Sequence, residues 1–151
     1  MFSDQHVRDA VRAELAHDPR LPQPDEIAVD VRDGYVTLRG TVGSFAQRRA
    51  AVTATRRADG IIGIDDELHV RPLNDDRRRD AEIRCHALER LVWDASLPGE
   101  SIDAHVTDGW VTLKGDVDFQ YQSDLAFEDV AALRGVVGVT NEIRVKEALP
   151  R

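Results

Sequence analysis

An α+β fold made of two tandem α-β-β-α-β modules is predicted for this chain of 151 residues. The first observation is an internal repeat, in which DGYVTLRG at residues 33–40 returns as DGWVTLKG at residues 108–115. The second is that apolar and polar residues alternate on both sides of each Asp-Gly pair, as they do in β-hairpins. The third is that apolar residues at helical spacing flank each hairpin. Each module is therefore expected to be a three-stranded sheet with two helices on one face.

The repeat covers most of the chain. At an offset of 75 residues further identities follow, such as Gln47 with Gln122, and upstream of the hairpin the offset is 76. The segment RPLNDDRRRDAE at residues 71–82 is densely charged and lacks apolar periodicity, as expected of a connector. We therefore predict three segments: module 1 at residues 1–72, a charged linker at 73–79 and module 2 at 80–148.

The first element of each module is predicted to be an amphipathic helix. Ser3 is a suitable N-cap, and Pro19 ends the helix because proline cannot continue it. Trp93, which matches His17, is expected to pack under the loop after the helix in module 2. The apolar stripe has the same spacing in both modules: Val7, Val11 and Leu15, then Ile83, Ala87 and Leu91.

Two strands joined by a tight turn come next. Asp33 and Gly34 supply the positive φ angles of a type I′ turn, and Asp108 and Gly109 repeat it. The second strand of each hairpin is predicted to end at a glycine, Gly40 or Gly115. The apolar positions that alternate with polar ones in module 1 are Ile27, Val29 and Val31, then Val36 and Leu38.

A second helix and a third strand complete each module. The helix is predicted from about Ser44 to Arg57 and again from about Tyr121 to Arg134. A left-handed C-cap or turn is expected at the glycines that follow these helices, Gly60 and Gly63 in module 1 and Gly135 and Gly138 in module 2. The last strand is expected to turn these residues inward: Ile64, Leu68 and Val70, then Val139, Ile143 and Val145.

Charge and composition exclude several classes of partner. Carboxylates outnumber basic groups 28 to 20, for a net charge of −8. Nucleic acid is not expected as a partner, because phosphate binding needs a basic surface. No segment approaches the roughly 18 consecutive apolar residues of a membrane-spanning helix. The N-terminus lacks the apolar core of a signal peptide, and Cys85 has no second cysteine to pair with, so we expect a cytoplasmic protein.

The motifs of the common catalytic and cofactor sites are missing from the sequence. It contains no nucleophile elbow, P-loop, Gly-rich dinucleotide motif or Cys/His pair at zinc spacing. We therefore predict that the protein is not an enzyme, with no cofactor and no metal site. The acidic run at residues 64–67 has two interpretations, a weak cation site or a charged strand edge.

A pair of aromatic residues is the first candidate binding feature. Tyr35 and Trp110 occupy equivalent positions, on the sheet face opposite the apolar one, with Arg39 and Lys114 on the same face. An aromatic residue beside a basic one suits an interface with protein or lipid headgroups. Alternatively, each ring covers its own cross-strand neighbour.

The second helices differ in charge between the modules. Arg49 and Arg56 lie on the predicted outer face in module 1, whereas Asp124 corresponds to Arg49 in module 2. One hypothesis is that the basic helix of module 1 meets the acidic helix of module 2, within one chain or between two chains. The alternative is that these are two solvated faces that diverged independently.

The two glycine-bearing motifs resemble a known family. The succession of helix, D-G-x-V-T-L-x-G hairpin, helix, G-[IV]-x-G-[IV]-[DT]-[DN] and final strand resembles the BON domain (bacterial osmotic-stress and nodulation), and it occurs twice. The resemblance extends to the osmotically inducible protein Y family, of which this chain looks like a type without a signal peptide. It implies a non-catalytic module of the stress response. It also implies contact with phospholipid, and some cytoplasmic relatives bind potassium ion.

The functional prediction combines both lines of reasoning. We predict a non-enzymatic stress-response module that binds a protein partner or itself. The alternatives are peripheral binding of phospholipid headgroups and sensing of a small cation such as potassium.

Overall fold

The computed structural model describes residues 2–72 and 78–146. The chain divides into two compact units, Met1–Arg71 and Pro72–Arg151, which are called module 1 and module 2 below. Most of the predicted linker, residues 73–77, lies outside the described residues.

Each module contains two helices and three strands in the predicted order. Module 1 consists of α1 (Asp4–His17), β1 (Ile27–Arg32), β2 (Tyr35–Val42), α2 (Phe45–Arg56) and β3 (Gly63–Val70). Module 2 consists of α3 (Asp80–Trp93), β4 (Ile102–Thr107), β5 (Trp110–Val117), α4 (Gln120–Ala131) and β6 (Gly138–Val145). A short 3₁₀ turn precedes the first strand of each sheet, at Pro24–Glu26 and Gly99–Ser101.

The central strand of each sheet is the second strand of the hairpin. β2 pairs antiparallel with β1 and parallel with β3, and β5 has the same relation to β4 and β6. Helices α1 and α2 pack on one face of the first sheet, and α3 and α4 on one face of the second. The predicted α+β class and the two tandem modules are confirmed.

The first helix has the cap and the buried stripe that its sequence predicts. The Ser3 hydroxyl accepts a hydrogen bond from the His6 N–H at 3.1 Å, which satisfies one of the free N–H groups of the first turn. The stripe Val7, Val11 and Leu15 is at most 1% exposed. The matching stripe of α3 is equally buried, so the helical spacing correctly identified the core face of both helices.

The hairpin turns have the predicted left-handed backbone. The φ angles are 53° at Asp33 and 85° at Gly34, with nearly the same values at the equivalent turn of module 2. The residue that holds this turn was not predicted from the sequence. The Asp4 carboxylate, in the first turn of α1, accepts hydrogen bonds from the Asp33 and Gly34 N–H groups at 3.0 and 3.3 Å. Asp80 does the same in module 2, and its match to Asp4 at the upstream offset of 76 was the available signal.

The prediction that Gly40 and Gly115 end the second strand is wrong. β2 continues to Val42 and β5 to Val117. Both glycines have positive φ, 129° and 145°. A Cβ at Gly40 would lie 2.3 Å from the Glu26 carbonyl oxygen, and one at Gly115 would lie 2.1 Å from that of Ser101. Glycine is required because the chain entering the first strand passes directly over this point.

Other predicted boundaries also shift. Helix α4 begins and ends earlier than predicted, since the chain leaves the helix after Ala131 to bring the buried Val136 into the core. Gly60 and Gly135 are left-handed, as expected, but they lie in a turn four residues beyond the end of α2 and α4. Gly63 and Gly138 are neither turn nor cap residues, because they begin the edge strands β3 and β6.

Candidate functional site

Among the described residues, the helices of each module pack on one face of its own sheet, and we call the opposite face the open face. In module 1, residues of β2 alternate between the buried helix side and this exposed side. The strand register places the following residues on the open face of module 1: Ala28, Asp30, Arg32, Tyr35, Thr37, Arg39, Asp65, Glu67 and His69. The open face of module 2 contains their counterparts, including Trp110, Thr112 and Lys114. Both predicted aromatic–basic pairs therefore lie on open faces.

The two aromatic rings cover a neighbouring strand and still remain accessible. Trp110 lies against Gly138, where a Cβ would approach its ring to 2.3 Å, and its Nε1–H donates to Thr140 Oγ1 at 2.7 Å. Tyr35 lies against Gly63 in the same way, with a closest Cβ distance of 3.0 Å. Trp110 is 42% exposed and Tyr35 is 56% exposed. The glycines thus let each ring lie flat, and the outer side of each ring remains available for contact.

The two predicted basic residues of the open faces are paired with carboxylates. Arg39 Nε donates to Glu67 Oε1 at 3.0 Å, and Lys114 Nζ lies 3.8 Å from Glu142 Oε1. Each pair joins the central strand to its parallel neighbour. The pKa of Glu67 is lowered, first by its hydrogen bond with Asp65 and then by Arg39, whereas that same hydrogen bond raises the pKa of Asp65. The charges of Arg39 and Lys114 are therefore balanced locally.

The predicted residues Arg49 and Arg56 are not part of either open face. Both lie on α2, which packs on the opposite side of the sheet. Arg56 is exposed and lines a surface groove of about 440 Å³ together with Gly60 and Ile62. The structure therefore separates the six predicted binding residues into four on open faces and two on a helix.

A cluster of exposed apolar side chains in module 1 escaped the sequence analysis. Phe2, Tyr35 and Ile62 are 48%, 56% and 66% exposed, and we call them the apolar tip. They surround one turn region, because Phe2 lies against Gly60 and Ile62 lies against Gly34. In module 2 Arg78 lies over the glycine equivalent to Gly60. The repeat offered a signal here, since Arg78 replaces Phe2 at the upstream offset.

The acidic run at residues 64–67 does not converge on one point. Asp66 faces the helix side, where Arg48 Nε donates to its Oδ2 at 2.9 Å. Asp65 and Glu67 face the opposite way, because neighbouring residues of a strand alternate. Within residues 2–72 and 78–146, no group of three or more His, Cys, Asp or Glu side chains is placed to hold a metal ion.

A buried carboxylate follows the first helix of module 1. Asp18 accepts hydrogen bonds from Arg20 Nε at 2.9 Å, from Arg20 Nη2 at 2.6 Å and from Arg57 Nη2 at 2.9 Å. These guanidinium contacts, with Arg20 contributing most, hold the pKa of Asp18 well below its usual range despite its burial.

The equivalent carboxylate of module 2 has a different environment. Asp94 shares a hydrogen bond with Asp129, and the Ser96 N–H donates to Asp94 at 2.9 Å. Burial, followed by the hydrogen bond to Asp94, raises the pKa of Asp129 to about 6, while the same bond lowers the pKa of Asp94. Below about pH 6 the proton shared by the two carboxyl groups therefore resides on Asp129, whose pKa is the higher.

Comparison with known proteins identifies the family. The BON domain model matches residues 3–72 and 79–147. Osmotically-inducible protein Y of Escherichia coli (strain K12) is 32% identical over 153 aligned residues, which span 96% of this chain and 74% of that protein. Two structures of CdsD, a structural protein of the type III secretion system of Chlamydia trachomatis, match at 13% identity with TM-scores of 0.39 and 0.41. They cover 99% and 97% of this chain, and 68% and 65% of the CdsD chains.

Within the described part of the chain, no helix has the length and apolar character needed to cross a bilayer. The family assignment rests on the sequence matches, and the hairpin and glycine geometry of each module agrees with them. The chain belongs to the BON domain family and contains two BON domains in tandem.

Proposed function

We propose that this protein is a non-catalytic component of the osmotic stress response that binds a protein partner through its open faces. The observation that supports this most directly is the pair Tyr35 and Trp110, each exposed on the sheet face opposite the described helices of its own module. Aromatic side chains held rigidly on a strand give large contact area at little cost in side-chain entropy. The link to osmotic stress comes from the similarity to osmotically-inducible protein Y.

The charge on the open faces favours protein over anionic phospholipid. Arg39 and Lys114 already have carboxylate partners on the neighbouring strand. An anionic headgroup would have to compete with Glu67 and Glu142 for them, in a chain with a net charge of −8. A protein partner of mixed charge meets no such penalty. A cytoplasmic location stays a prediction.

The apolar tip supports a second candidate, shallow contact with a lipid surface. Phe2, Tyr35 and Ile62 are exposed together, and aromatic side chains partition into the headgroup region of bilayers. Such contact would rely on apolar burial and would depend little on the anionic lipid content. The potassium alternative has weaker support, because the carboxylates of β3 point to opposite faces of the sheet.

Photo-crosslinking in cells at high osmolarity tests the main proposal. A photoreactive phenylalanine analogue is placed at position 35, at position 110 and, as an exposed control on α2, at position 53. We expect discrete protein adducts from positions 35 and 110 and none from position 53. The combined substitution Tyr35→Ser with Trp110→Ser should leave the melting curve close to wild type. In that background, adducts from a second open-face position, Thr112, should disappear.

Vesicle sedimentation separates the two candidates. The wild-type chain is mixed with neutral vesicles and with vesicles of increasing anionic content, alongside Ile62→Ser. The main proposal expects no sedimentation with either vesicle type. If the wild-type chain sediments with vesicles and Ile62→Ser does not, the lipid candidate is favoured. In the crosslinking experiment, equal adducts from positions 35, 110 and 53 would contradict the proposal that the open faces bind a protein.

A further inference from the structure

Within the part of the chain that the structure describes, the two sheets have four edge strands, and each edge presents backbone groups that no neighbouring strand pairs. In module 1 these are β1 and β3, and in module 2 they are β4 and β6. In β1 the two-residue turn at Asp33 and Gly34 fixes which groups face outward. Arg32 and Tyr35 close the turn as a hydrogen-bonded pair, so Ile27, Val29 and Val31 direct their N–H and C=O groups away from β2.

The β4 edge of module 2 is closed by side chains. Ala104, the counterpart of Val29, has both backbone groups occupied: its carbonyl accepts from Arg84 Nε at 2.9 Å, and its N–H donates to Asp103 Oδ1 at 2.8 Å. Arg84 Nη2 also donates to Asp103 at 3.0 Å. A strand adding here would have to displace this clamp.

The β3 and β6 edges carry a cap of similar design. Asp66 Oδ1 accepts from the Leu68 N–H at 3.0 Å while Arg48 of α2 holds the same carboxylate. In β6, Asn141 Oδ1 accepts from the Ile143 N–H at 3.1 Å, and its amide donates to Ser123 Oγ of α4 at 2.9 Å. At three of the four edges, a residue of the packed helix thus holds an Asp or Asn side chain against the outward backbone.

The β1 edge lacks such a side-chain cap. Ala28 occupies the position of Asp103 and has no carboxylate to offer. Arg8 occupies the position of Arg84, but its Nε is buried without a hydrogen-bond partner, and its Nη2 donates to Gln5. Within the described residues, no side chain is placed on the outward N–H and C=O of Val29. An uncapped strand edge is a template for another strand.

We propose that β1 of module 1 pairs antiparallel with β1 of a second copy of this chain, about a twofold axis at Val29. This register places Val29 opposite Val29 and Ile27 opposite Val31. The Ile27 N–H already donates to the Pro24 carbonyl, so at that position only the Ile27 carbonyl is open to the Val31 N–H of the other copy. The register also sets Asp30 opposite Ala28, whereas a shift by two residues in one direction would set Asp30 against Asp30 and repel.

Charge complementarity identifies the occupant as a second copy. The same register places Arg32 of each copy opposite Glu26 of the other, and both side chains are exposed. The twofold symmetry makes this pair occur twice, which an unrelated peptide would match only by chance. The result is one six-stranded sheet formed across two modules 1. The pairing occupies the outer edge of β1, whereas the proposed partner-binding residues Tyr35 and Arg39 lie on β2, so the two sites are separate.

Sedimentation velocity over a concentration series tests the pairing on the full chain. We expect a monomer–dimer equilibrium for the wild type. Ala28→Asp restores the carboxylate of the β4 clamp beside Arg8, and it should weaken dimerisation at least about tenfold. Arg32→Glu replaces two opposite-charge pairs with two like-charge pairs, and it should also weaken dimerisation about tenfold. Adding Glu26→Arg to Arg32→Glu reverses both charges and should restore most of the affinity.

Hydrogen exchange supplies a readout that does not depend on the variants. The outward Val29 amide should become protected as the protein concentration rises, whereas the Asp30 amide, which faces β2, should not change. As a converse test, Asp103→Ala opens the β4 edge and should add association to the Ala28→Asp background. A wild-type chain that stays monomeric at all concentrations overturns the proposal. So does a dimer that Ala28→Asp and Arg32→Glu leave unchanged, or a Val29 amide whose exchange does not vary with concentration.

Discussion

Asp18 and Asp94 stand at the same point of the two modules, directly after the first helix, but they are stabilised by different groups. Asp18 is bound by two arginines of its own module, Arg20 and Arg57. At the positions of these arginines module 2 has Ser96 and Ala132. Module 2 therefore lacks the two arginines, and it also has a second carboxylate nearby, because Asp129 occupies the position of the fully buried Ala54 of module 1. One fold thus accommodates an ion-paired carboxylate in one copy and a proton-sharing pair in the other.

The two sites give stability opposite dependences on pH. The depressed pKa of Asp18 means that its contribution is present above about pH 4 and is lost as the pH falls below that value. The raised pKa of Asp129 means that the folded state keeps a proton which the unfolded state has released. Stability from Asp129 is therefore greatest below about pH 4 and is lost as the pH rises towards 6. The two modules share the same backbone fold, but the carboxylates that follow their first helices have different partners and different pKa shifts.

The largest loss of stability is expected at a glycine that both modules have at the same position in the second strand. Gly40→Ala and Gly115→Ala each force a Cβ to within 2.3 Å or less of a backbone oxygen at a positive φ angle. Each should lower the free energy of unfolding of its module by about 3 kcal/mol or more. Urea unfolding followed by circular dichroism measures this loss.

Gly43→Ala is the matched control for that pair. Gly43 also follows the hairpin, but it lacks positive φ, and its new Cβ would meet only the Gln47 side chain at 3.3 Å. We expect a loss below about 1 kcal/mol. A comparable loss for Gly43→Ala and Gly40→Ala would contradict the close backbone approach assigned to Gly40 and Gly115.

Much of the fold was predictable because the repeat tests each local pattern twice. The stripe of α1, the turn at Asp33 and the inward residues of β2 all follow from local spacing, and the second copy repeats each of them. Gly40 was misplaced because a strand-ending glycine and a glycine under a crossing backbone look identical in sequence. The contact with Glu26 that distinguishes them is not local.

The binding residues were only partly predictable, for the same reason. The alternation of apolar and polar residues placed Tyr35 and Trp110 on the face of their own sheet that is opposite the apolar face. The structure places them on that face. Their ion-paired neighbours depend on which strand lies beside β2 and β5, and the sequence alone does not give that order. Trp93 was expected to pack under a loop but is 83% exposed at the end of α3, because the helix stripe that enters the core ends at Leu91.

The buried carboxylate itself gives the next prediction. Asp18→Ala removes three charged hydrogen bonds from a buried site, and since Arg20 and Arg57 are about half exposed they can return to water. We expect a loss of about 2 kcal/mol at pH 7.5. Asp94→Ala should change stability by about 0.5 kcal/mol or less, because it also relieves the pairing with Asp129. Thermal unfolding of both variants makes the comparison, and equal losses would mean that the two sites do not differ as described.

The smallest effect concerns Asp129 and depends on pH. Asp129→Ala gives module 2 the residue of module 1, and Asp129→Asn keeps the size while removing the charge. Above pH 6 the wild type must hold a second negative charge beside Asp94, so at pH 7.5 each variant should be more stable than wild type, by about 1 kcal/mol. Below pH 4 Asp129 is protonated in both the folded and the unfolded states, and the advantage of Asp129→Asn should vanish. The measurement is thermal unfolding from below pH 4 up to pH 7.5, with Asp124→Asn on the exposed face of the same helix as the control for general charge. If Asp129→Asn and Asp124→Asn shift stability equally at every pH, the loss of net charge alone accounts for the effect and the pairing of Asp129 with Asp94 does not contribute.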